Sequence, residues 1–458
     1  MVTHTSSFEV LSEDSSFYNF SLTNFLRNDF LLGEFPSLVA QVDLVDKTVF
    51  SQSQDYINIT FNDEITCSFS QRTGQLIYDS PQICNAIDIT ITGFTAAECY
   101  DPANLGSVGS WPGCDGMLIV SRDMLVNAEW ELPDKRDRYI EFEGVNYTFG
   151  DSEFNVFTGQ VTDLSGDDWE WCSLIFSDAV DGQCWNDFGT GVGFNASIGY
   201  WDVSNVVNMS IAFAAADVFD QDIGGWDVSN VVDMTGMLSY MSVFDQDISS
   251  WDVSGVTSMF AMFEDASSFD QDLSGWDVSG VTNMDNMFYQ NLNFDQDLSG
   301  WDVSGVTSMQ SMFHGASSFS GQGLSSWVVS GVTDMYAMFA GASSFDQDLS
   351  GWDVSGVTDM WRAFQGASSF KGVGLEVWNI SNVNSTMGMF WEASSFNADI
   401  SGWDTTGVTN MNLMFLSASS FNQDLSGWCV EQIGSPPSGF DSGATSWVLP
   451  RPNWGDPC

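Results

Sequence analysis

Apolar residues recur at fixed offsets through the C-terminal half of the chain. From Leu273 the sequence runs Leu-Ser-Gly-Trp-Asp-Val-Ser-Gly-Val-Thr-Asn-Met-Asp-Asn-Met-Phe. Leu273, Trp276, Val278, Val281, Met284, Met287 and Phe288 are apolar, and small or polar residues separate them. The anchor tryptophan returns at Trp201, Trp226, Trp251, Trp276, Trp301, Trp327, Trp352, Trp378, Trp403 and Trp428. The steps are 25 residues, except for steps of 26 to Trp327 and Trp378. A fixed period in this range marks units that bury their apolar faces only by stacking on one another, a solenoid.

The pattern predicts the elements of one unit. Trp276 and Val278 lie two apart, hence on one face of a strand, with Asp277 on the other. Met259, Met262, Phe263 and Ala266 fall at i, i+3, i+4 and i+7, a short helical stripe for which Thr257 is a natural N-cap. The expected fold class is therefore an α/β repeat solenoid of parallel strands plus short helices, each rung being strand, turn, helix, turn. Trp, Phe and Met should stack in columns, the methionines as core filler. About ten rungs occupy residues 159–430, beginning with a degenerate unit at 160–165, and residues 431–458 form a C-terminal cap. Residues 1–115 lack the repeat. Their short alternating runs (Tyr56-Ile-Asn-Ile-Thr-Phe61, Glu64-Ile-Thr-Cys-Ser-Phe69, Gln75-Leu-Ile-Tyr78, Ala86-Ile-Asp-Ile-Thr-Ile-Thr92) predict a β-rich, disulfide-stapled N-terminal domain. Residues 116–165 read as a transition and N-terminal cap, with a short helix at 121–128 and a solvated or salt-bridged basic turn at Lys135, Arg136 and Arg138.

The pattern Phe-Asp-Gln-Asp-Leu-Ser-Gly-Trp-Asp-Val-Ser-Gly-Val-Thr-x-Met-x-x-Met-Phe-x-x-Ala closely resembles the BspA-like leucine-rich repeat surface proteins, over about residues 159–430. The resemblance implies a leucine-rich-repeat-like fold, an extracellular or cell-surface location and a role in adhesion or protein contact. It brings no catalytic residues.

Charge and cysteine content extend this picture. The formal net charge is −52, which argues against nucleic acid or anionic membrane as partners. A hydrophobic fraction of 43% with 36 Phe excludes a disordered chain. No apolar run is long enough for a transmembrane helix, and no signal peptide is visible at residues 1–30. The eight cysteines fall in near pairs, Cys67 with Cys84, Cys99 with Cys114, Cys172 with Cys184 and Cys429 with Cys458. Disulfides in an oxidising compartment are the simplest reading, with the pairing left open. Asn19, Asn58, Asn146, Asn195, Asn208, Asn379 and Asn384 head sequons that permit N-glycosylation.

Much of the charge is columnar. Asp227, Asp252, Asp277, Asp302 and Asp353 follow the anchor Trp, and Asp222, Asp247, Asp272, Asp297 and Asp348 precede the Leu or Ile. Carboxylates stacked about 5 Å apart repel by roughly 1–3 kcal/mol. Ca²⁺ held by oxygen ligands would offset this; so would backbone N–H donors within each turn, with salt screening the rest. A third column, Asp220, Asp245, Asp270, Asp295 and Asp346, becomes Asn397 and Asn422, and is read as Asx turns. Both 26-residue rungs lose these acids together, at Gly321-Gln-Gly323 with Val328 and at Gly372-Val-Gly374 with Asn379.

No catalytic constellation appears. His314 occupies a variable solvent-facing site aligned with Glu264, Tyr289, Ala340 and Gln365. The expected function is non-enzymatic display of an acidic repeat surface outside the cell, contacting surface proteins or glycans or self-assembling. The alternative is a structural subunit of an extracellular filament, sheath or virion. Behind these stand a glycosidase and ice or crystal binding through Thr257, Thr282, Thr307, Thr333, Thr358 and Thr409.

Overall fold

The computed structural model describes residues 99–109, 117–130, 137–150, 155–166, 173 and 193–458, and the backbone of seven strands between residues 6 and 92. The chain divides into two compact units. One comprises Met1–Ser121, Glu141–Gln160 and Gly199–Trp201; the other comprises Arg122–Ile140, Val161–Ile198 and Asp202–Cys458.

In the first unit, β1 (Ser6–Leu11), β2 (Phe17–Thr23) and β7 (Asp88–Thr92) form one antiparallel sheet. A second is built from β3 (Ala40–Leu44), β4 (Tyr56–Phe61), β5 (Ile65–Ser70) and β6 (Leu76–Ile77). The alternating runs therefore become strands within two residues of the expected bounds. Cys67 lies on β5 opposite Ile59. Cys99 is disulfide-bonded and buried beside Ile119 and Phe157. Cys84, Cys114, Cys172 and Cys184 fall outside the described residues.

In the second unit the helix α1 spans Arg122–Val126, inside the expected 121–128. Arg138 departs from the expected solvated turn. It is buried, donates to the carbonyls of Val126 and Ala128, and loses basicity to burial, its pKa falling to about 10. Lys135 and Arg136 fall outside the described residues.

The repeats hold few strands and few helices, which corrects the expected rung. Where the helical stripe was expected, the backbone forms tandem turns. Met262, Glu264 and Ala266 donate to carbonyls three residues back. Met259, Ala261, Phe263 and Asp265 instead donate sideways to Asn283, Asp285, Met287 and Tyr289 of the next rung, at 2.7–3.1 Å. An α-helix would send each N–H to the residue four back; here half are spent on the neighbour. Ala261 and Asp265 take left-handed φ of 54° to aim those groups. The apolar stripe was right about burial, since Met259, Met262, Phe263 and Ala266 are all fully buried. The strand is corrected too. Trp276 and Val278 are buried with Asp277 exposed, but the Trp276 N–H closes a turn onto Leu273. The inter-rung ladder lies elsewhere, in single parallel bridges running Asp163, Asn208, Asp233, Ser258, Asn283, Ser308, Asp334, Asp359, Ser385, Asn410. Its first member belongs to the degenerate unit expected at 160–165.

Side chains close the core in columns. Phe263, Phe288 and Phe313 stack at 5.4–5.6 Å, and Trp327 stacks on Trp301 and Trp352 at 6.3 and 6.5 Å. Each indole N–H from Trp226 to Trp428 donates to the Leu or Ile carbonyl of the preceding rung, Trp276 to Ile248 at 3.2 Å and Trp301 to Leu273 at 2.9 Å. The additional residue of each long rung is absorbed by a 3₁₀ turn, Leu324–Ser326 or Leu375–Val377. Gly323 and Gly374 precede these turns at φ 87° and 91°, and a Cβ on either would lie 2.1 Å from a backbone nitrogen of the preceding rung. That geometry replaces the aspartate turn, so glycine and the loss of acid arrive together.

The last rung is capped. Leu413, Phe415 and Ser417 donate to Ser438, Phe440 and Ser442, and Leu425 donates to Pro450. A Cys429–Cys458 disulfide, with Cα atoms 5.3 Å apart, holds this segment as the cysteine spacing suggested.

Candidate functional site

Two surfaces of the array carry chemistry. The first is acidic. Asp222, Asp247, Asp272, Asp297 and Asp348 are exposed, and each accepts the backbone N–H two residues on at 2.8–3.0 Å. Asp227, Asp252, Asp277, Asp302 and Asp353 do the same toward Ser229, Ser254, Ser279, Ser304 and Ser355 at 3.0–3.2 Å. These donors dominate the electrostatics. Serine or threonine donors hold Asp247, Asp272, Asp277, Asp302, Asp348, Asp353, Asp399, Asp404 and Asp424 below the usual carboxylate range. Repulsion from a neighbouring rung enters only for Asp272, from Asp247, and Asp277, from Asp302, as the smallest of the causes. Among the described residues, no group of three or more His, Cys, Asp or Glu side chains is placed to hold a metal ion.

The third column is corrected. Asp245 accepts from the N–H of Asp270 in the next rung at 3.0 Å and from the Gln271 amide at 2.8 Å, and Asp270 repeats this toward Asp295 and Gln296. It is an inter-rung clamp and not a cap on its own turn. Asn397 clamps Asn422 in the same way at 2.8 Å, since an amide oxygen accepts as a carboxylate does. The threonine column also differs from the expected N-caps. Thr282 sends its backbone N–H and its hydroxyl to the Thr257 carbonyl at 3.0 and 3.3 Å, with Thr257, Thr307, Thr333, Thr358 and Thr409 placed alike. Of the sequons, Asn146, Asn379 and Asn384 are exposed. Asn195 and Asn208 are half-buried and spend their side-chain oxygens on the Asp220 and Ser210 N–H groups. Asn19 and Asn58 lie on β2 and β4.

The second surface is the tandem-turn face, where the repeat stops repeating. Four columns there change identity from rung to rung. One reads Phe260, Asp285, Gln310, Tyr336, Trp361, Met387; another reads Glu264, Tyr289, His314, Ala340, Gln365, Trp391. The two left-handed columns between them include Asp265, Gln290 and Arg362. Tyr240 donates to Glu264 at 3.1 Å, and burial raises the pKa of both, and of Asp265, above their usual ranges. His314 packs on Tyr289 with centroids 4.7 Å apart, and burial followed by the nearby Arg362 charge lowers its pKa. Tyr336 meets Trp361 edge-on at 5.2 Å, and the Arg362 guanidinium lies 5.3 Å from the Trp361 ring and 5.6 Å from that of Trp391. Only His314 of this ridge was singled out from sequence. The signal that would have found the rest is the variation itself, nine turns aligned column by column.

These features define a tandem-repeat protein with a repeating aromatic core, a mostly acidic surface and a variable ridge. The chain belongs to the family described as "Mycoplasma protein of unknown function, DUF285", which matches residues 183–299, 271–373 and 360–454 and so covers more than half of it. Comparison with curated proteins gives no match, and comparison with solved structures gives none either. Among the described residues no helix is long and apolar enough to cross a membrane.

Proposed function

We propose that the array is a leucine-rich-repeat-like solenoid of the BspA-like kind, displayed outside the cell. In this reading it works without catalysis, and its variable ridge contacts glycans or surface proteins. The observation that carries the reading is the contrast between columns. Buried positions repeat Trp, Val, Met and Phe, whereas the tandem-turn face changes through Phe, Asp, Gln, Tyr, Trp and Met at one column. A face kept only for folding has no need of such variety, and Trp, Tyr and Arg are the residue types enriched where binding energy concentrates. The acidic columns supply solubility and repel other anionic surfaces.

The cap favours display over the filament alternative. Leu413, Phe415, Ser417 and Leu425 of the last rung already donate to carbonyls of residues 438–450, so these N–H groups are not free for end-to-end stacking at that edge. The test is retention of the purified chain on arrays of extracellular glycans and surface proteins, run beside a turnover screen for glycoside cleavage. Saturable binding without turnover is expected. Turnover with no retained ligand would overturn the reading.

A further inference from the structure

Arg362 is the only arginine between Trp201 and Trp428. Elsewhere among the described residues Arg122 meets Asp163 at 3.7 Å, Arg451 meets Asp441 at 3.0 Å, and Lys371 pairs with Asp346. Arg362 has no carboxylate within ion-pair distance and no hydrogen-bond acceptor among the described residues, although acids surround it in sequence. It lies instead between two indoles. Its Nε and the Trp361 Nε1 are both buried without a hydrogen-bond partner. Those two atoms are closed to solvent, whereas the Nη groups of Arg362 are not buried; an anionic oxygen is the group that would satisfy them.

We propose that Trp361, Arg362 and Trp391 form a subsite for a saccharide that carries a carboxylate, a uronic acid residue being the simplest example. The sugar ring stacks on an indole face and its carboxylate pairs with Arg362. The assignment rests on the display reading above and names a ligand class for one part of the ridge. Size decides between a saccharide and a protein partner. A stable protein interface needs about 800 Å² on each side, whereas adjacent rungs lie only about 5 Å apart. The Trp361 and Trp391 ring centroids lie 5.3 and 5.6 Å from the Arg362 guanidinium carbon, so the cluster around this cation has the dimensions of one or two sugar rings. The exposed large apolar residues, Val207, Val232, Val328, Val373 and Val377 among them, belong to other columns and do not extend it. The strongly negative array does not forbid an anion here, because charges beyond about 8 Å are largely screened at physiological ionic strength.

Isothermal titration of the full chain with tetragalacturonate, and with its neutral methyl ester, tests the assignment. The wild type should bind the acid at least about tenfold more tightly than the ester. Arg362→Gln should remove that preference, and Trp391→Ala should weaken both ligands. Thermal unfolding of each variant, matched to wild type, establishes that the rung is intact; Trp391→Phe serves where Trp391→Ala does not fold. Equal binding of acid and ester, unchanged binding by Arg362→Gln, or no binding of either by the wild type would each overturn the subsite. The display reading stands or falls separately, on the glycan and surface-protein arrays.

Discussion

The indole nitrogen explains why tryptophan, and not another large apolar residue, anchors each rung. A Leu or Ile carbonyl faces every anchor from Trp226 to Trp428, and the indole brings bulk together with an N–H donor. Replacing Trp276 by Phe keeps most of the volume and removes one of the two donors to the Ile248 carbonyl, which retains the Trp251 backbone N–H; the loss should cost about 0.5–1.5 kcal/mol by thermal or denaturant unfolding. A substitution without effect would show that the bond contributes nothing. At the aspartates, the fold needs the acceptor and not the charge. Asn379 takes the Ser381 N–H at 3.1 Å where other rungs use Asp, so Asp277→Asn should lower the unfolding temperature less than Asp277→Ala does.

The same residues set the response to pH. Nine aspartates with lowered folded pKa values favour the folded state above the unfolded carboxylate value of about 3.9, and that contribution disappears as pH falls through the lowered values. Glu264, Asp265 and Asp334 are shifted the other way, chiefly by burial. Their ionisation costs stability at neutral pH, and the cost vanishes on mild acidification. His314, its pKa lowered chiefly by burial, works against this below the unfolded imidazole value of about 6.5, so the unfolding temperature should stay nearly level from pH 7 to 5 and drop below about pH 4. A continuous rise down to pH 3 would contradict this balance.

At the scale of the element, sequence pattern and structure agree on burial and part on backbone. Spacing of i, i+3, i+4 and i+7 is satisfied by any chain that turns every three or four residues, so Met259, Met262, Phe263 and Ala266 could not distinguish a helix from tandem turns. Left-handed residues such as Tyr240, Asp265 and Glu392 make the difference, and φ carries no signature in residue types that tolerate it poorly. The aspartate turns were legible because the acceptor and its target lie two residues apart. The Asp245 to Asp270 clamp was not, because its target lies a full rung away. Glycine already stands at Gly315, Gly341 and Gly366 in the Glu392 column. Glu392→Gly should then relieve left-handed strain of about 1–2 kcal/mol against an entropic cost of about 0.5–1 kcal/mol. A modest rise in unfolding temperature is expected, and a fall would place the strain elsewhere.

At the scale of the molecule, a stacked array is most vulnerable at its ends, where a rung meets one neighbour only. The Cys429–Cys458 bridge closes a span of 29 residues, and a loop of that length is worth roughly 3 kcal/mol of chain entropy. Cys429→Ser with Cys458→Ser should loosen the cap first. Hydrogen exchange should quicken at Leu413, Phe415 and Leu425 before it changes at Met284 or Phe288. Uniform acceleration across the array would instead indicate one cooperative unit.

The central claim is that binding resides in the variable ridge while the acidic columns only support and solubilise the array. A ridge-blanked chain, with Tyr289, His314, Tyr336, Trp361, Arg362 and Trp391 replaced by the Ala or Ser found at other rungs, separates the two surfaces directly. Retention on the extracellular glycan and surface-protein arrays should be lost while the unfolding temperature stays near that of the wild type. Undiminished retention by the blanked chain, together with its loss when Asp252, Asp277 and Asp302 become Asn, would contradict the account.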